Sequence, residues 1–178
     1  MKNIVIYKSK TGFTKKYAEW IAGYLSADIF DVSKVTMSIL TSYDTIIYGG
    51  SLYAGGIIGV KLIKENINKL KDKKVVVFAT GASPFRQDVV NEVRNKNFTK
   101  EQQEDIKFFY LRGGFNYSKL NPFDKFLMIL LKWKIKNKKE EELTNDEIGM
   151  LTAYDKPVDF TMKKNIEIII TYVNSYND

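Results

Sequence analysis

Two residue types are absent from the 178-residue chain: it contains no cysteine and no histidine. The first absence excludes disulfides, thiolate nucleophiles and cysteine-ligated metals. The second removes the commonest general base and the usual zinc ligand, so a serine–histidine triad cannot be assembled and no metal site is expected. An enzyme built from this chain draws its chemistry from a bound cofactor. No apolar run approaches the ~20 residues that span a bilayer. Met1 leads directly into strand-like sequence without a signal peptide, and the expected location is cytoplasmic. Internal repeats, low-complexity tracts and linkers are missing too. Residues 1–178 therefore read as one domain, long enough to bury a core.

Hydrophobic residues make up 44% and charged residues 28%, the balance of a water-soluble globular fold. The net charge of +7 admits an anionic partner such as nucleic acid, acidic lipid or a phosphorylated ligand, and equally a plain lysine-rich surface. No nucleic-acid recognition motif accompanies the charge, so no nucleic-acid partner is expected.

Short β-branched runs alternate with helical patterns. "NIVIYKS" (residues 3–9), "DIFDVS" (28–33), "DTIIYGGS" (44–51), "KKVVVFATGAS" (73–83) and "IKFFYLRGG" (106–114) read as strands. From Thr14 the apolar positions Tyr17, Trp20, Ile21, Tyr24 and Leu25 form an amphipathic stripe. Helices are also expected over Ile58 to Leu70, from Pro84 to about Asn95, and from Val158 to Tyr176. This alternation indicates an α/β fold with a parallel sheet covered on both faces, and such sheets bind ligands at the carboxyl ends of their strands.

Three polar, glycine-bearing loops belong to that edge. The first, Ser9, Lys10, Thr11, Gly12, Phe13 and Thr14, opens a helix, whose unpaired N–H groups and partial positive charge favour an anion. Hydroxyls beside them suit a phosphate monoester, although the same residue types serve as ordinary helix caps. Neither a Walker A loop nor a GxGxxG turn is present. The second loop is Ser51, Leu52, Tyr53, Ala54, Gly55 and Gly56; the third is Thr80, Gly81, Ala82, Ser83 and, after Pro84, Phe85. Small residues with one aromatic each, Tyr53 or Phe85, suit a sandwiched flat ring.

"SKTGFT", "GGSLYAGG" and "ATGASPF" in this order resemble the loops of a flavodoxin-like FMN-binding domain, and the resemblance covers the whole chain. It implies an open five-stranded parallel sheet in the order 2-1-3-4-5. It also implies FMN as cofactor, its phosphate at Ser9 to Thr14 and its isoalloxazine ring between the second and third loops. Within that superfamily, the length, the "GGS" ending of the third strand and the inserted "NPFDKFLMILLKW" resemble the menaquinone-dependent protoporphyrinogen dehydrogenase group. Phe123, Asp124 and Lys125 match that group's insertion, whereas Tyr53-Ala54 stands where an Arg-Tyr pair is usual. This closer resemblance implies oxidation of protoporphyrinogen IX or a related substrate, with a quinone as acceptor.

The inserted segment spans residues 115–150. Taken as a helix, Phe123 to Ile135 places Phe123, Phe126, Leu127, Leu130 and Leu131 on one side and Lys125, Lys132 and Lys136 on the other. Lys134 falls near the middle of the apolar face, and Lys138 and Lys139 add charge at the end. Such a helix lies peripherally on the inner face of a membrane through Phe123–Lys139, docks on a partner, or covers the sheet edge or flavin. The leading functional expectation is an FMN-dependent oxidoreductase that transfers electrons to a redox partner or quinone. The alternative is a flavodoxin-type electron carrier with no substrate of its own. Carriers of that kind are usually acidic, and this chain is basic.

Overall fold

The computed structural model describes residues 2–175. The β-branched runs form the strands β1 (Asn3–Lys8), β2 (Asp28–Asp31), β3 (Thr45–Tyr53), β4 (Gly56–Ile57), β5 (Lys74–Gly81) and β6 (Ile106–Arg112). Five of them make a parallel sheet in the order β2-β1-β3-β5-β6, with the short β4 folded back antiparallel on the end of β3. This is the expected flavodoxin-like sheet.

Alternation along each strand feeds two cores. Ile4, Ile6, Ile46, Tyr48, Val75 and Val77 pack on one face with Ile63, Leu70 and Val93. Val5, Ile47, Val76 and Phe78 pack on the other, beneath α1 (Phe13–Leu25) and α8 (Glu167–Asn174). Most of these side chains are fully buried, and each contributes about 1.5–3 kcal/mol relative to exposure. The paired glycines of β3 are explained by close approach. A Cβ on Gly49 would strike the ring of Phe78, its register partner on β5. A Cβ on Gly50 would strike the Ile57 side chain of β4.

Several expected boundaries move. The helix expected over Ile58 to Leu70 is two short pieces, α3 (Lys61–Lys64) and a 3-10 turn at Ile67–Lys69, preceded by α2 (Met37–Thr41) on the other side of β3. Gly59, left-handed at φ 75°, delays the start, and Asn66 leaves helical geometry at φ −117°, ψ 6°. Likewise β2 stops at Asp31, whose side chain accepts from Ser33 N–H and starts a 3-10 turn. The helix expected from Pro84 begins at Gln87 as α4 (Gln87–Asn97) and is followed by α5 (Lys100–Asp105).

The closing helix differs most. β7 (Gly114–Phe115) pairs antiparallel with β8 (Val158–Asp159), so Val158 starts a strand instead. Phe160 N–H then donates to Gly113 O (2.8 Å), and Asp159 accepts from Thr161 N–H (2.9 Å), which holds this stretch extended. α8 begins only at Glu167; the expected end at Tyr176 lies outside the described residues. Between β7 and β8 stand α6 (Pro122–Lys136) and α7 (Asn145–Asp155), the inserted segment.

Gly49→Ala is expected to lower unfolding free energy by about 1–3 kcal/mol in urea titrations, the range for overpacking a closed core. Phe78→Leu in the same chain should recover part of that loss. A Gly49→Ala protein as stable as the parent would show that the Phe78 ring is not confined.

Candidate functional site

The carboxyl ends of β1, β3 and β5 are drawn together by hydroxyls. Thr14, fully buried at the start of α1, hydrogen-bonds Ser51 Oγ on β3 (2.7 Å) and also Thr80 Oγ1 on β5. Its side chain thus links three loops. Gly12 caps α1 in a left-handed conformation (φ 98°), and no side chain caps the helix. Ser9 Oγ accepts from Gly12 N–H (3.1 Å), which curls the loop back on itself. An uncapped helix start edged by Ser9 and Thr11 leaves backbone N–H groups and a partial positive charge of the kind that favours an anion.

Beside it opens a cavity of about 400 Å³. Lys10, Thr11, Phe13, Ser51, Leu52, Tyr53, Ala54, Thr80 and Ala82 line it, so all three expected loops reach one site. The others are placed differently. Gly55 lies in the turn after β3 and Gly56 begins β4, and neither lines the cavity. There Ala54 and Gly55 are left-handed (φ 48° and 77°), and α4 holds their carbonyls through Lys96 Nζ (2.8 Å) and Asn97 Nδ2 (2.9 Å). Gly81 ends β5, Ser83 faces a neighbouring cavity, and Phe85 is 63% exposed and lines neither.

The rest of the wall comes from residues outside the expected set: Gly113, Gly114 and Phe115 at the end of β6, Met150 of α7, and Leu120, Asp124, Leu127, Met128 and Leu131 at or on α6. The apolar residues of α6 therefore split between two faces. Met128 and Leu131 line the cavity half-buried and Leu127 lines it while staying 37% exposed at its rim, whereas Phe123, Phe126, Ile129, Leu130 and Trp133 form an exposed stripe. Lys134 is exposed at the border between them, not centred in one apolar face.

Asp124 attaches this helix to the loops. It is 4% exposed and accepts from Lys10 Nζ (2.5 Å) and Asn121 Nδ2 (2.9 Å). Asn121 also caps α6, accepting from the backbone N–H of Asp124 (2.8 Å). The Lys10 hydrogen bond holds the Asp124 carboxyl below the usual carboxylate range, against the opposing effect of burial. A hydrogen bond to Asp124 pushes the Tyr53 phenol upward. Lys10 Nζ lies 3.6 Å from the Tyr53 ring centre, completing a Lys10–Asp124–Tyr53 cluster inside the cavity. An aspartate amid apolar helix residues, three positions after an asparagine cap, was the available sequence signal for Asp124.

A flavodoxin domain model matches residues 4–142. The chain belongs to the flavodoxin domain family. An uncharacterized protein of Methanocaldococcus jannaschii is 31% identical over 138 residues, 70% of this chain and 91% of that protein. Among solved structures, Trp repressor binding protein from Bacillus subtilis has a TM-score of 0.48 at 18% identity, covering 65% of this chain and 85% of that one. Oxidised flavodoxin 2 from Bacillus cereus has 0.44 at 17%, covering 75% and 99%. A Lactobacillus acidophilus flavoprotein in complex with FMN has 0.40 at 19%, covering 62% and 91%.

FMN is the cofactor of this family, and the residues present fit it. The uncapped α1 start with its neighbouring hydroxyls suits a phosphate. The adjoining space falls within the ~300–1,000 Å³ of ligand pockets, with aromatic walls from Phe13, Tyr53 and Phe115 and an apolar roof.

Asp124→Asn should loosen α6 and cost about 1–3 kcal/mol of stability at pH 7. Because the native carboxyl is depressed, its contribution is complete above the unfolded-state value and lost as pH falls through the native one. The stability gap between parent and variant should be full from about pH 5 upward, begin to narrow near the unfolded-state value of about 4, and close as pH falls through the lower native one. A gap independent of pH would exclude ionised Asp124 as the fastening.

Proposed function

We propose that the protein is an FMN-dependent oxidoreductase acting on a substrate of its own. The carrying observation is the roof: α6 turns Leu127, Met128 and Leu131 into the same cavity that receives Tyr53 and the hydroxyl corner. A carrier exchanging electrons by surface contact needs no walled apolar compartment, whereas an enzyme uses one to exclude water and position a substrate. Thr11, Ser9 and the backbone N–H groups at the start of α1 would hold the phosphate, and Tyr53 would offer an aromatic surface to the flavin. Bound FMN supplies one- or two-electron chemistry. Asp124 holds Lys10 in place, and the two enter the compartment wall as an ion pair. Oxidation of protoporphyrinogen IX with menaquinone as acceptor is the narrower form of this reading, supported by Phe123-Asp124-Lys125 at the start of the roof. Its turnover by the FMN-loaded protein separates that form from simple electron carriage.

The outer face of α6 supports peripheral membrane contact, which would bring a quinone to the site. Phe123, Phe126 and Trp133 are 66%, 56% and 68% exposed, and exposed Lys134 and Lys136 stand at the two borders of this stripe. An apolar stripe edged by lysines suits an anionic lipid surface. No helix among the described residues is long and apolar enough to cross a membrane, so the contact would lie in the interface.

Thr11→Ala is expected to weaken FMN binding roughly tenfold or more while leaving riboflavin, which lacks the phosphate, nearly unchanged. Flavin fluorescence titration reads both. Equal losses would point to a distorted loop, and no FMN uptake at micromolar concentration would end the flavin reading. In a separate experiment, the protein should co-sediment with phosphatidylglycerol-containing vesicles at low salt and release at high salt, with Trp133 fluorescence shifting to the blue. Phe126→Ser with Trp133→Ser should abolish the co-sedimentation with FMN still bound. Indifference to such vesicles would leave α6 as a roof alone.

A further inference from the structure

A second cavity, of about 370 Å³, adjoins the first and shares Ala82, Phe115 and Met150 with it. Its remaining walls come from Ser83 and Pro84 after β5, from α7, and from Val158 and Phe160 beside β8. Among the described residues, one cation lines this space. Arg112 is the last residue of β6, and its carbonyl is fixed by the hydroxyl of Tyr17 (2.8 Å). Its guanidinium carbon lies 3.6 Å from the centre of the Phe160 ring, and its Nε donates to Ala82 O (3.2 Å). Phe160 is itself held by its N–H bond to Gly113 O.

The Arg112 fork is thus oriented by a stacked ring and one backbone bond. Among the described residues, no carboxylate forms an ion pair with it. The acid on the same wall, Glu147, is engaged elsewhere: it accepts from Lys138 Nζ (2.6 Å) and Thr144 N–H (2.9 Å). The Lys138 hydrogen bond depresses its carboxyl.

We propose that this cavity is the substrate-anchoring compartment, and that it takes a small apolar carboxylate whose carboxyl group pairs with Arg112. Three features select that class. A planar guanidinium stacked on a ring presents parallel N–H groups matched to a planar carboxylate. A phosphate would bring a second charge into a compartment with one available cation, and burying it unpaired is costly. The other walls, Ala82, Pro84, Phe115, Met150, Ala153 and Val158, are apolar, and the volume lies at the small end of ligand pockets. This deepens the oxidoreductase reading, on which it rests: the shared wall lets a molecule anchored at Arg112 extend its apolar end toward the first cavity.

The test uses 2-naphthoate and its neutral counterpart 2-naphthylmethanol, titrated calorimetrically into FMN-saturated protein, with the Arg112 Nε–H resonance followed by nitrogen-15 NMR. Naphthoate should bind and shift that resonance, and naphthylmethanol should bind at least about tenfold more weakly. Arg112→Gln should weaken naphthoate about tenfold or more, Arg112→Lys should restore only part, and Phe160→Leu should weaken it through loss of the platform. FMN affinity should be unchanged in all three variants, since Arg112 and Phe160 lie outside the first cavity. Equal affinity for the two probes, equal naphthoate binding by parent and Arg112→Gln, or an unmoved Arg112 resonance would overturn the proposal. If the chain takes up no FMN, the same titration on the protein as purified separates the two readings: naphthoate binding lost in Arg112→Gln keeps the anchoring site and ends the flavin assignment.

Discussion

Everything at the functional edge depends on one buried contact, the Thr14 hydroxyl between Ser51 and Thr80. Parallel strands end at the same edge, but their following loops have no reason to stay together unless something joins them. Thr14 supplies that link from α1, and its burial removes competing water. The helix start is thereby fixed relative to β3 and β5, so its free N–H groups keep their place beside the neighbouring cavity. Gly49 and Gly50 serve the same end from within the sheet, because each admits a partner's side chain where a Cβ would push the strands apart.

The inserted segment is attached to this edge by charge. Asp124 is carried on the first turn of α6, close to the helix's positive end, and is met by Lys10 from the first loop. A buried carboxylate with one lysine and one asparagine is satisfied, and its loss would leave Lys10 without its carboxylate against the Tyr53 ring. The fastening is local and polar, while the covering contact is apolar. Lys10 therefore belongs at once to the loop that reads as a phosphate corner and to the device that holds the roof.

Much of this was legible in the sequence because the signals were strong and local. Five apolar runs became the five parallel strands in the expected order, and the hydroxyl and glycine loops converged on one cavity. The losses have more than one physical cause: local turns at Gly59 and Asp31 move helix and strand ends, and at Val158 tertiary pairing overrides a helical pattern. Val158 carries helical spacing, yet its backbone pairs with Phe115, a partner 43 positions earlier that no window along the chain can contain. Phe85 is aromatic and sits in the right loop, but its side chain points to solvent. Asn97, which holds the turn at Gly55 and also accepts from Ile57 N–H, lies on a polar helix whose pattern shows nothing unusual.

The two faces of α6 explain why its pattern was hard to read. An ordinary covering helix has one apolar stripe and one polar face, and any large hydrophobic side chain beyond the stripe costs solubility. Here a second stripe is exposed, and the cavity does not use it, since its lining on that side comes from Leu127, Met128 and Leu131. Lysines stand at the border of the two stripes instead of filling the outer face. Such an arrangement is intelligible where both sides of the helix meet apolar matter: a ligand compartment inside and a lipid or protein surface outside. On the proposed reading, the same helix would place an apolar medium beside the cavity, and Arg112, on the far side of the shared wall, would be the polar end against which an amphipathic molecule orients.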